Sequence, residues 1–199
     1  MIPVSLSIDD PTVQARSLDY YMRALEQASE WEVPYMHLVA GGGYIESNPE
    51  SDYRRAIDGI GKVSDRAKAL GLRIALEADR GTPIRNTSDV RKVIDTIGCD
   101  RVQGLLDTNA VWHAKEDFEE AVILLGEDLA HMHFIDLGPQ GGCLTPGDGE
   151  LPLAQYLEVL DRHGYRGFMT PELWGFRYLN EAEAAMRRGR DFCHRYMEP

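Results

Sequence analysis

Three carboxylates and one imidazole each stand at or near the end of a short apolar run in this sequence. These residues are Glu77, Asp107, His133 and Glu172. Burying an unpaired charge is costly, so polar groups that interrupt four successive apolar runs are hard to ascribe to chance. Each of the four side chains can also bind a metal ion through oxygen or nitrogen. The pattern therefore identifies four potential ligands of one cation.

Short apolar runs alternate with longer amphipathic segments along the whole chain, and this alternation must position the four residues. We expect six strands, at residues 2–8, 35–40, 72–78, 102–107, 129–135 and 167–173. We expect a helix after each strand, at about residues 10–28, then 49–70, 87–98, 117–125, 152–163 and 181–196. A loop rich in glycine and proline, residues 138–149, separates the fifth strand from its helix.

Strict alternation of strands and helices predicts a parallel sheet with helices outside, either an open doubly wound sheet or a barrel. No G-x-G-x-x-G sequence opens a helix after a strand, and Gly41-Gly42-Gly43 is more typical of a flexible loop than of a phosphate cradle. The four potential ligands all fall at the carboxyl ends of strands, where barrels collect their chemistry. We therefore predict a TIM-barrel-like parallel sheet of about six strand–helix units.

Composition limits the classes of protein and partner. A chain of 199 residues predicts a single domain over residues 1–199. The formal net charge of −12 disfavours nucleic acid as a partner, because an acidic surface repels phosphates. No apolar run approaches the ~20 residues that span a bilayer, and the first residues lack the pattern of a signal peptide. Three widely spaced cysteines predict reduced thiols in a cytoplasmic protein.

Several stretches together resemble the xylose-isomerase-like barrel superfamily of sugar isomerases and epimerases, and within it the ketose 3-epimerase type. They are Ala75-Leu-Glu-Ala78, Leu105-Leu-Asp-Thr108, Leu129-Ala-His-Met-His-Phe-Ile-Asp136, Pro146-Gly-Asp-Gly-Glu150 and Gly164-Tyr-Arg-Gly-Phe-Met-Thr-Pro-Glu172. The resemblance implies that Glu77, Asp107, His133 and Glu172 hold the metal. His131, on the same strand face as His133, is expected in a supporting or core role.

The resemblance also implies that this chain is short. A full barrel of this kind takes about 250 residues for eight units, so 199 residues supply about six. We expect the first two strand–helix units to be missing, which leaves exposed strand edges and apolar side chains. The prediction is a homo-oligomer or a partner subunit that covers the open edge; a rearranged barrel and a truncated gene product are alternatives.

The chemistry implied is proton transfer next to a sugar carbonyl. Three carboxylates and one imidazole favour Mn²⁺ or Mg²⁺, with Co²⁺ also acceptable, whereas Zn²⁺ usually has more nitrogen and sulfur ligands. The cation would bind a small-molecule sugar or keto-sugar and stabilise an enediolate. Epimerisation needs one base on each face of the reacting carbon, and Glu77 and Glu172 are the predicted pair.

Other residues are candidates for substrate binding. Asp79 and Arg80 follow Glu77 into a loop, where an ion pair between them is the alternative. His37 ends a strand on the same face, His113 lies six residues past Asp107, and Trp174 could form an apolar wall or pack in the core. Asp136, before the glycine-rich loop, is expected either to orient His133 or to hold the loop.

Two other functions remain open at this point. The same metal site could expel a β-substituent, which would make the protein a dehydratase or lyase of a keto-sugar or keto-inositol. Alternatively, the chain is a non-catalytic subunit of a larger assembly. An endonuclease of the same superfamily is disfavoured, because it needs more histidines at strand ends and a basic track for DNA.

Overall fold

The computed structural model describes residues 4–41, 48–97, 100, 102–139, 141–173 and 177–197. The helices are α1 (Pro11–Glu30), α2 (Pro49–Ala69), α3 (Thr87–Ile97), α4 (Thr108–Ala114), α5 (Phe118–Leu125), α6 (Leu153–Arg162) and α7 (Ala182–Met197). The strands are β1 (Tyr35–Val39), β2 (Arg73–Glu77), β3 (Val102–Asp107), β4 (Leu129–His133), β5 (Asp136–Gly138), β6 (Gly141–Leu144) and β7 (Met169–Thr170). The chain divides into two compact units, residues 1–105 and 106–199.

Five strands form one sheet in the order β1-β2-β3-β4-β7, which confirms the predicted sheet with helices between its strands. The pairs β1–β2, β2–β3 and β4–β7 are parallel. Residues in β2 are almost all buried, as is typical of parallel strands that are covered on both faces. Within the described residues, no helix combines the length and the hydrophobicity needed to cross a bilayer.

The first unit places its helices by capping and by apolar faces. Asp10 accepts hydrogen bonds from the backbone N–H groups of Thr12 and Val13, and a proline follows it at the first position of α1. Tyr21 and Leu25 lie on the buried face of α1. Burial raises the pKa of the Tyr21 phenol to about 12, and its hydroxyl donates to the carbonyl of Val39 at 2.7 Å. These contacts fix α1 against β1.

The second unit is held by α5 and α6 packing against each other. Asp117 caps α5 by accepting from the N–H of Glu120 at 3.0 Å, and Gly126 ends the helix with a positive φ of 52°. Phe118 of α5 stacks on Tyr156 of α6, with ring centroids 4.0 Å apart. The predicted ends of both helices are therefore correct to within one residue.

The prediction of a strand at residues 2–8 is wrong for its described part. Residues 4–8 form only an isolated antiparallel bridge, between Ser5 and Gly41. Serine side chains satisfy part of the backbone here: the N–H of Ser5 donates to Ser17 Oγ at 2.8 Å, and that of Ser7 to Ser5 Oγ at 3.4 Å. The N–H of Leu6 donates to the carbonyl of Ala40 at 2.8 Å. Residues 1–3 lie outside the described part.

Three features near the carboxyl ends of the later strands differ from the sequence prediction. Helix α4 follows β3 directly, because the Asp107 side chain caps it. The glycine-rich loop contains an antiparallel hairpin, β5–β6, in which Gly141 and Gly142 have positive φ values of 79° and 95°. The last parallel strand, β7, is two residues long, against the predicted span of residues 167–173.

Candidate metal centre

Three of the predicted ligands come together within the second unit. Asp107 ends β3, His133 ends β4, and Glu172 lies two residues past β7. One ligand atom from each lies within 4.8 Å of the others. His133 Nδ1 is 3.3 Å from Glu172 Oε2 and 3.9 Å from Asp107 Oδ2. The convergence predicted from the sequence therefore holds for this trio.

The pairing of β4 with β7 brings His133 next to Glu172. His133 lies opposite Thr170 in the parallel register, and the N–H of Phe134 donates to the carbonyl of Thr170 at 2.9 Å. His131 contributes to the same pairing, since its Nε2 is 2.9 Å from Thr170 Oγ1. His131 thus contacts β7 beside the cluster, and the supporting or core role expected of it stays a prediction.

Asp107 has its two carboxylate oxygens in different surroundings. Oδ1 accepts hydrogen bonds from the backbone N–H of Asn109 at 2.6 Å and of Ala110 at 3.4 Å, which begins α4. Oδ2 lies toward the imidazole of His133. The helix cap therefore orients the carboxylate so that one oxygen is presented to the cluster.

The donor set of the trio fits a divalent cation. Asp107 and His133 are 5% and 7% exposed, and the Glu172 side chain is 28% exposed, so the cluster is enclosed with an approach from the Glu172 side. Two carboxylates and one imidazole supply oxygen and nitrogen ligands of the type that Mn²⁺, Mg²⁺ and Zn²⁺ bind. Like charges this close, in low dielectric, are favoured when a cation lies between them.

The fourth predicted ligand, Glu77, is described within the first unit. It ends β2 and is 8% exposed, and its Oε2 lies 2.5 Å from Nε2 of His37 on β1. Glu77 pairs with Leu105 in the β2–β3 register. Asp107 stands two residues further along β3 than Leu105. His37 thus contacts one of the predicted ligands, whereas its predicted contact with substrate stays a prediction.

The predicted substrate-binding residues differ in their surroundings. Asp79 is exposed, and its Oδ1 accepts from the N–H of Gly81 at 2.6 Å, which closes a turn. Arg80 is exposed beside it. His113 lies near the end of α4, half-buried, with its ring edge-to-face against Trp112 at 4.8 Å. Trp174 lies outside the described residues, so the prediction for it stays open.

Asp136 holds the glycine-rich loop, which was one of its two predicted roles. Its Oδ1 accepts from the N–H groups of Leu137 at 2.9 Å and Leu151 at 3.0 Å. Its Oδ2 accepts from those of Gly147 and Gly149, both at 3.0 Å. Four backbone donors on one buried carboxylate make this side chain the centre of the loop.

The same loop is tied to the C-terminal part of the second unit through Tyr178. Its hydroxyl donates to Asp148 Oδ2 at 3.0 Å and accepts from the N–H of Thr145 at 3.1 Å. Burial raises the pKa of this phenol, and the neighbouring Asp148 adds to the rise. Arg188 reaches the same carboxylate oxygen at 3.2 Å. The Tyr178 phenol is therefore neutral, and its hydroxyl group holds the loop in place.

Sequence reasoning missed one residue beside the cluster, Thr108. Its hydroxyl forms hydrogen bonds with both backbone groups of Ile135, 27 residues away in the chain. The only sequence signal is its place directly after Asp107, and nothing in the local pattern names its partner.

Curated relatives of this chain carry two different enzyme names. It is 26% identical over 192 residues to a fructoselysine 3-epimerase of Escherichia coli O157:H7, covering 94% of this chain and 69% of that protein. It is 25% identical over 154 residues to an inosose dehydratase of Serratia proteamaculans, covering 65% of this chain and 51% of that protein. The relatives thus include both epimerases and dehydratases.

Solved structures share the fold. A D-psicose 3-epimerase studied in the presence of D-fructose superposes with a TM-score of 0.81 at 20% identity, covering 98% of this chain and 75% of that chain. The IOLI protein, whose structure contains a zinc atom, gives 0.80 at 18% identity, covering 98% and 75%. The model of the xylose isomerase-like TIM barrel matches residues 2–196. The chain therefore belongs to the xylose isomerase-like TIM barrel family.

Proposed function

We propose that this protein is a divalent-metal-dependent enzyme that epimerises or isomerises a sugar at a carbon next to a carbonyl. The observation that carries the proposal is the convergence of Asp107, His133 and Glu172, whose ligand atoms lie within 4.8 Å of one another. Relatives that are 3-epimerases of sugar derivatives support the reaction class. A purely structural cluster of two acids and a histidine would not account for both observations.

Glu77 is the proposed fourth ligand. It ends β2 just as Asp107 ends β3 and His133 ends β4, and neighbouring parallel strands present their carboxyl ends at one edge of a sheet. Glu77 is also buried, and a buried carboxylate needs a counter-charge or hydrogen bonds. His37 supplies one such contact, at 2.5 Å. In this role His37 orients the Glu77 carboxylate.

A bound divalent cation supplies Lewis-acid stabilisation of the negative charge that develops on the substrate oxygens. Protein side chains transfer the protons and hold the site in place. Glu172, which is partly exposed, removes or returns the proton on one face of the reacting carbon, and Glu77 does so on the other. Asp107 and His133, both more buried, hold their positions throughout. Oxygen-rich ligation favours Mn²⁺ or Mg²⁺ over Co²⁺ and Zn²⁺.

The substrate is a sugar or keto-sugar, and the residues proposed to bind its hydroxyl groups are Asp79, Arg80, His37 and His113. His37 and Asp79 both line one cavity of the first unit, of about 1510 Å³. Hydroxyl groups of a sugar can donate to the carboxylate of Asp79 and accept from Arg80. Trp174 is proposed as an apolar wall from its place two residues after Glu172.

Dehydration of a keto-sugar or keto-inositol is the second candidate. The inosose dehydratase relatives favour it, and elimination begins with the same proton removal that starts epimerisation. The two reactions differ in the next step, since elimination expels a β-hydroxyl group whereas epimerisation returns a proton. The same four residues serve either outcome.

Metal binding tests the first part of the proposal. Protein stripped with a chelator is titrated with Mn²⁺ by calorimetry, and we expect one site. His133→Ala should lower the affinity by more than about 100-fold, since even an outer partner of a ligand is worth 10–100-fold. His163→Ala is the matched control, because His163 pairs with Glu119 on the surface, at 2.8 Å. Wild-type protein without a site for Mn²⁺, Mg²⁺, Co²⁺ or Zn²⁺ refutes the proposal.

Reaction products decide between the two candidate reactions. The metal-loaded protein is incubated in D₂O with fructoselysine, free ketoses and inosose, and the products are followed by NMR. Epimerisation incorporates deuterium at the reacting carbon and yields a second diastereomer. Elimination yields a conjugated product that absorbs in the ultraviolet. Glu172→Gln should abolish formation of either product, and a second diastereomer that still forms in this variant would contradict the role of Glu172 as one of the two bases.

We also propose that a second copy of the chain or a partner subunit covers the free edge of β1. This strand stands at one end of the sheet order, and within the described residues β2 is its only partner strand. Tyr20 and Trp31 on the neighbouring helix region are 52% and 71% exposed. Sedimentation should show an oligomer at micromolar concentration, and a monodisperse monomer would contradict homo-oligomerisation.

A further inference from the structure

We propose that Thr108 is a positioning residue that fixes the distance between Asp107 and His133, an inference that rests on the proposed function. Thr108 Oγ1 donates a hydrogen bond to the carbonyl of Ile135 at 2.7 Å and accepts one from the N–H of the same residue at 2.9 Å. Thr108 and Ile135 are both completely buried. One hydroxyl group therefore satisfies both backbone groups of Ile135, as a neighbouring strand would do.

These two hydrogen bonds lie directly beyond two of the candidate ligands. Thr108 directly follows Asp107, and Ile135 stands two residues past His133, where β4 has ended. Beyond the end of β4, its chain would be free to diverge from the start of α4. The Thr108 hydroxyl joins the two segments immediately beyond the two ligands, while the cap on Asp107 fixes the carboxylate itself. Together they set the gap of 3.9 Å between Asp107 Oδ2 and His133 Nδ1.

Replacing Thr108 by valine tests the role, because valine keeps the branched shape and removes both hydrogen bonds. Water cannot take the place of the hydroxyl at a fully buried site without opening the structure. We expect Thr108→Val to weaken Mn²⁺ binding by about tenfold or more, the range for residues that orient metal ligands. Thr108→Ser keeps the hydroxyl and should stay within about threefold of wild type.

Thr145 offers a matched control in the same unit. It too is fully buried, and its Oγ1 donates to a backbone carbonyl at 2.7 Å, that of Ala185 on α7. Thr145→Val should lower the melting temperature about as much as Thr108→Val does, without changing the affinity for Mn²⁺. Equal affinities of the two valine variants would overturn the proposal, because stability alone would then explain the effect.

A second measurement needs no metal and separates this inference from the proposed function. In metal-free protein with ¹⁵N-labelled histidine, the ring signals of His133 should shift in Thr108→Val and not in Thr145→Val. Unchanged His133 signals overturn the positioning role whether or not the wild type binds Mn²⁺. A wild type that binds no metal refutes the proposed function, and the ring signals then still decide whether Thr108 positions His133. Should the valine variants not fold, Thr108→Cys and Thr145→Cys give the same comparison, since a thiol is a weak hydrogen-bonding group.

Discussion

Two aspartates of the second unit stand at corresponding places and do different things. Asp107 ends β3, and Asp136 begins β5 three residues after β4. Asp136 uses both carboxylate oxygens to accept four backbone N–H groups of its own loop. Asp107 uses Oδ1 in this way, and its Oδ2 lies 3.9 Å from His133 Nδ1. The contact of the second oxygen, with two loop amides in Asp136 and with an imidazole in Asp107, distinguishes a structural aspartate from a candidate ligand.

An acid near a strand end has to be interpreted from the partners of both of its oxygens. Both residues are buried, so burial does not separate them. Both also precede turns of backbone whose N–H groups need acceptors, so location does not separate them either. What separates them is the partner of the second oxygen, which is a set of amides for Asp136 and an imidazole for Asp107. Substitutions that keep the shape and change only the charge should therefore lower the stability at Asp136 and the metal affinity at Asp107.

The largest expected effect is the loss of stability in Asp136→Asn. An asparagine amide group would place donors against backbone N–H groups and leave two of them without an acceptor. At 1–3 kcal/mol for each buried unsatisfied group, the free energy of unfolding should fall by about 3 kcal/mol. Urea denaturation measures the change. Asp117→Asn is the control, because asparagine caps a helix as well as aspartate does; similar stabilities of the two variants would contradict the role assigned to Asp136.

Asp107→Asn should leave the fold intact and weaken the metal site. Asparagine still caps α4, so we expect a change of less than about 1 kcal/mol in the stability of the metal-free protein. Affinity for Mn²⁺ should fall by about 100-fold. Melting temperatures with and without Mn²⁺ show both effects, since a ligand at 100 times its Kd stabilises by about 2.7 kcal/mol. The comparison breaks if Mn²⁺ raises the melting temperature of Asp107→Asn but not of Asp136→Asn.

The sequence predicts the middle of the fold better than its start. The bounds of β3 are those predicted, and Asp117, Gly126 and Gly164 begin or end helices as expected, because their effect is local. Helix α4 was missed, since seven residues are too few to show a helical period. The N-terminal segment looked like a strand, but the backbone N–H of Ser5 donates to the side chain of Ser17, a residue of α1.

The candidate site also contains residues that the sequence predicts and residues that it does not. Asp107, His133 and Glu172 could be predicted, because a polar residue at the end of an apolar run is visible in the sequence. Thr108 could not be, since its partner Ile135 lies 27 residues away and donates and accepts through its backbone. The choice between the two predicted roles of Asp136 also required the loop to be folded, because three of its four partners lie 11–15 residues further on.

Gly149→Ala tests whether the loop depends on its close approach to Asp136. A Cβ atom at this position would lie 2.4 Å from Asp136 Oδ1 and 2.6 Å from the carbonyl of Leu137, so the loop would have to move off its carboxylate. We expect a loss of about 1–3 kcal/mol in the free energy of unfolding. Gly61→Ala is the control: a Cβ atom there would have open space outside the backbone of its own helix, and alanine favours the helix by up to about 1 kcal/mol. A neutral Gly149→Ala would mean that the loop does not depend on close approach to Asp136.

The smallest effect is expected at Asp117, an aspartate that only caps a helix. Its Oδ1 accepts from the N–H of Glu120 at 3.0 Å on an exposed surface, and it is not one of the clustered candidate ligands. Asp117→Ala should cost about 1 kcal/mol and leave the affinity for Mn²⁺ unchanged. Asp107→Ala removes a similar cap and should cost a similar amount in the metal-free protein, but it should also lose metal binding. Calorimetric titration of both alanine variants isolates the function of Asp107 Oδ2, because the cap is absent from both. If Asp107→Ala binds Mn²⁺ as Asp117→Ala does, Asp107 is a cap and not a ligand.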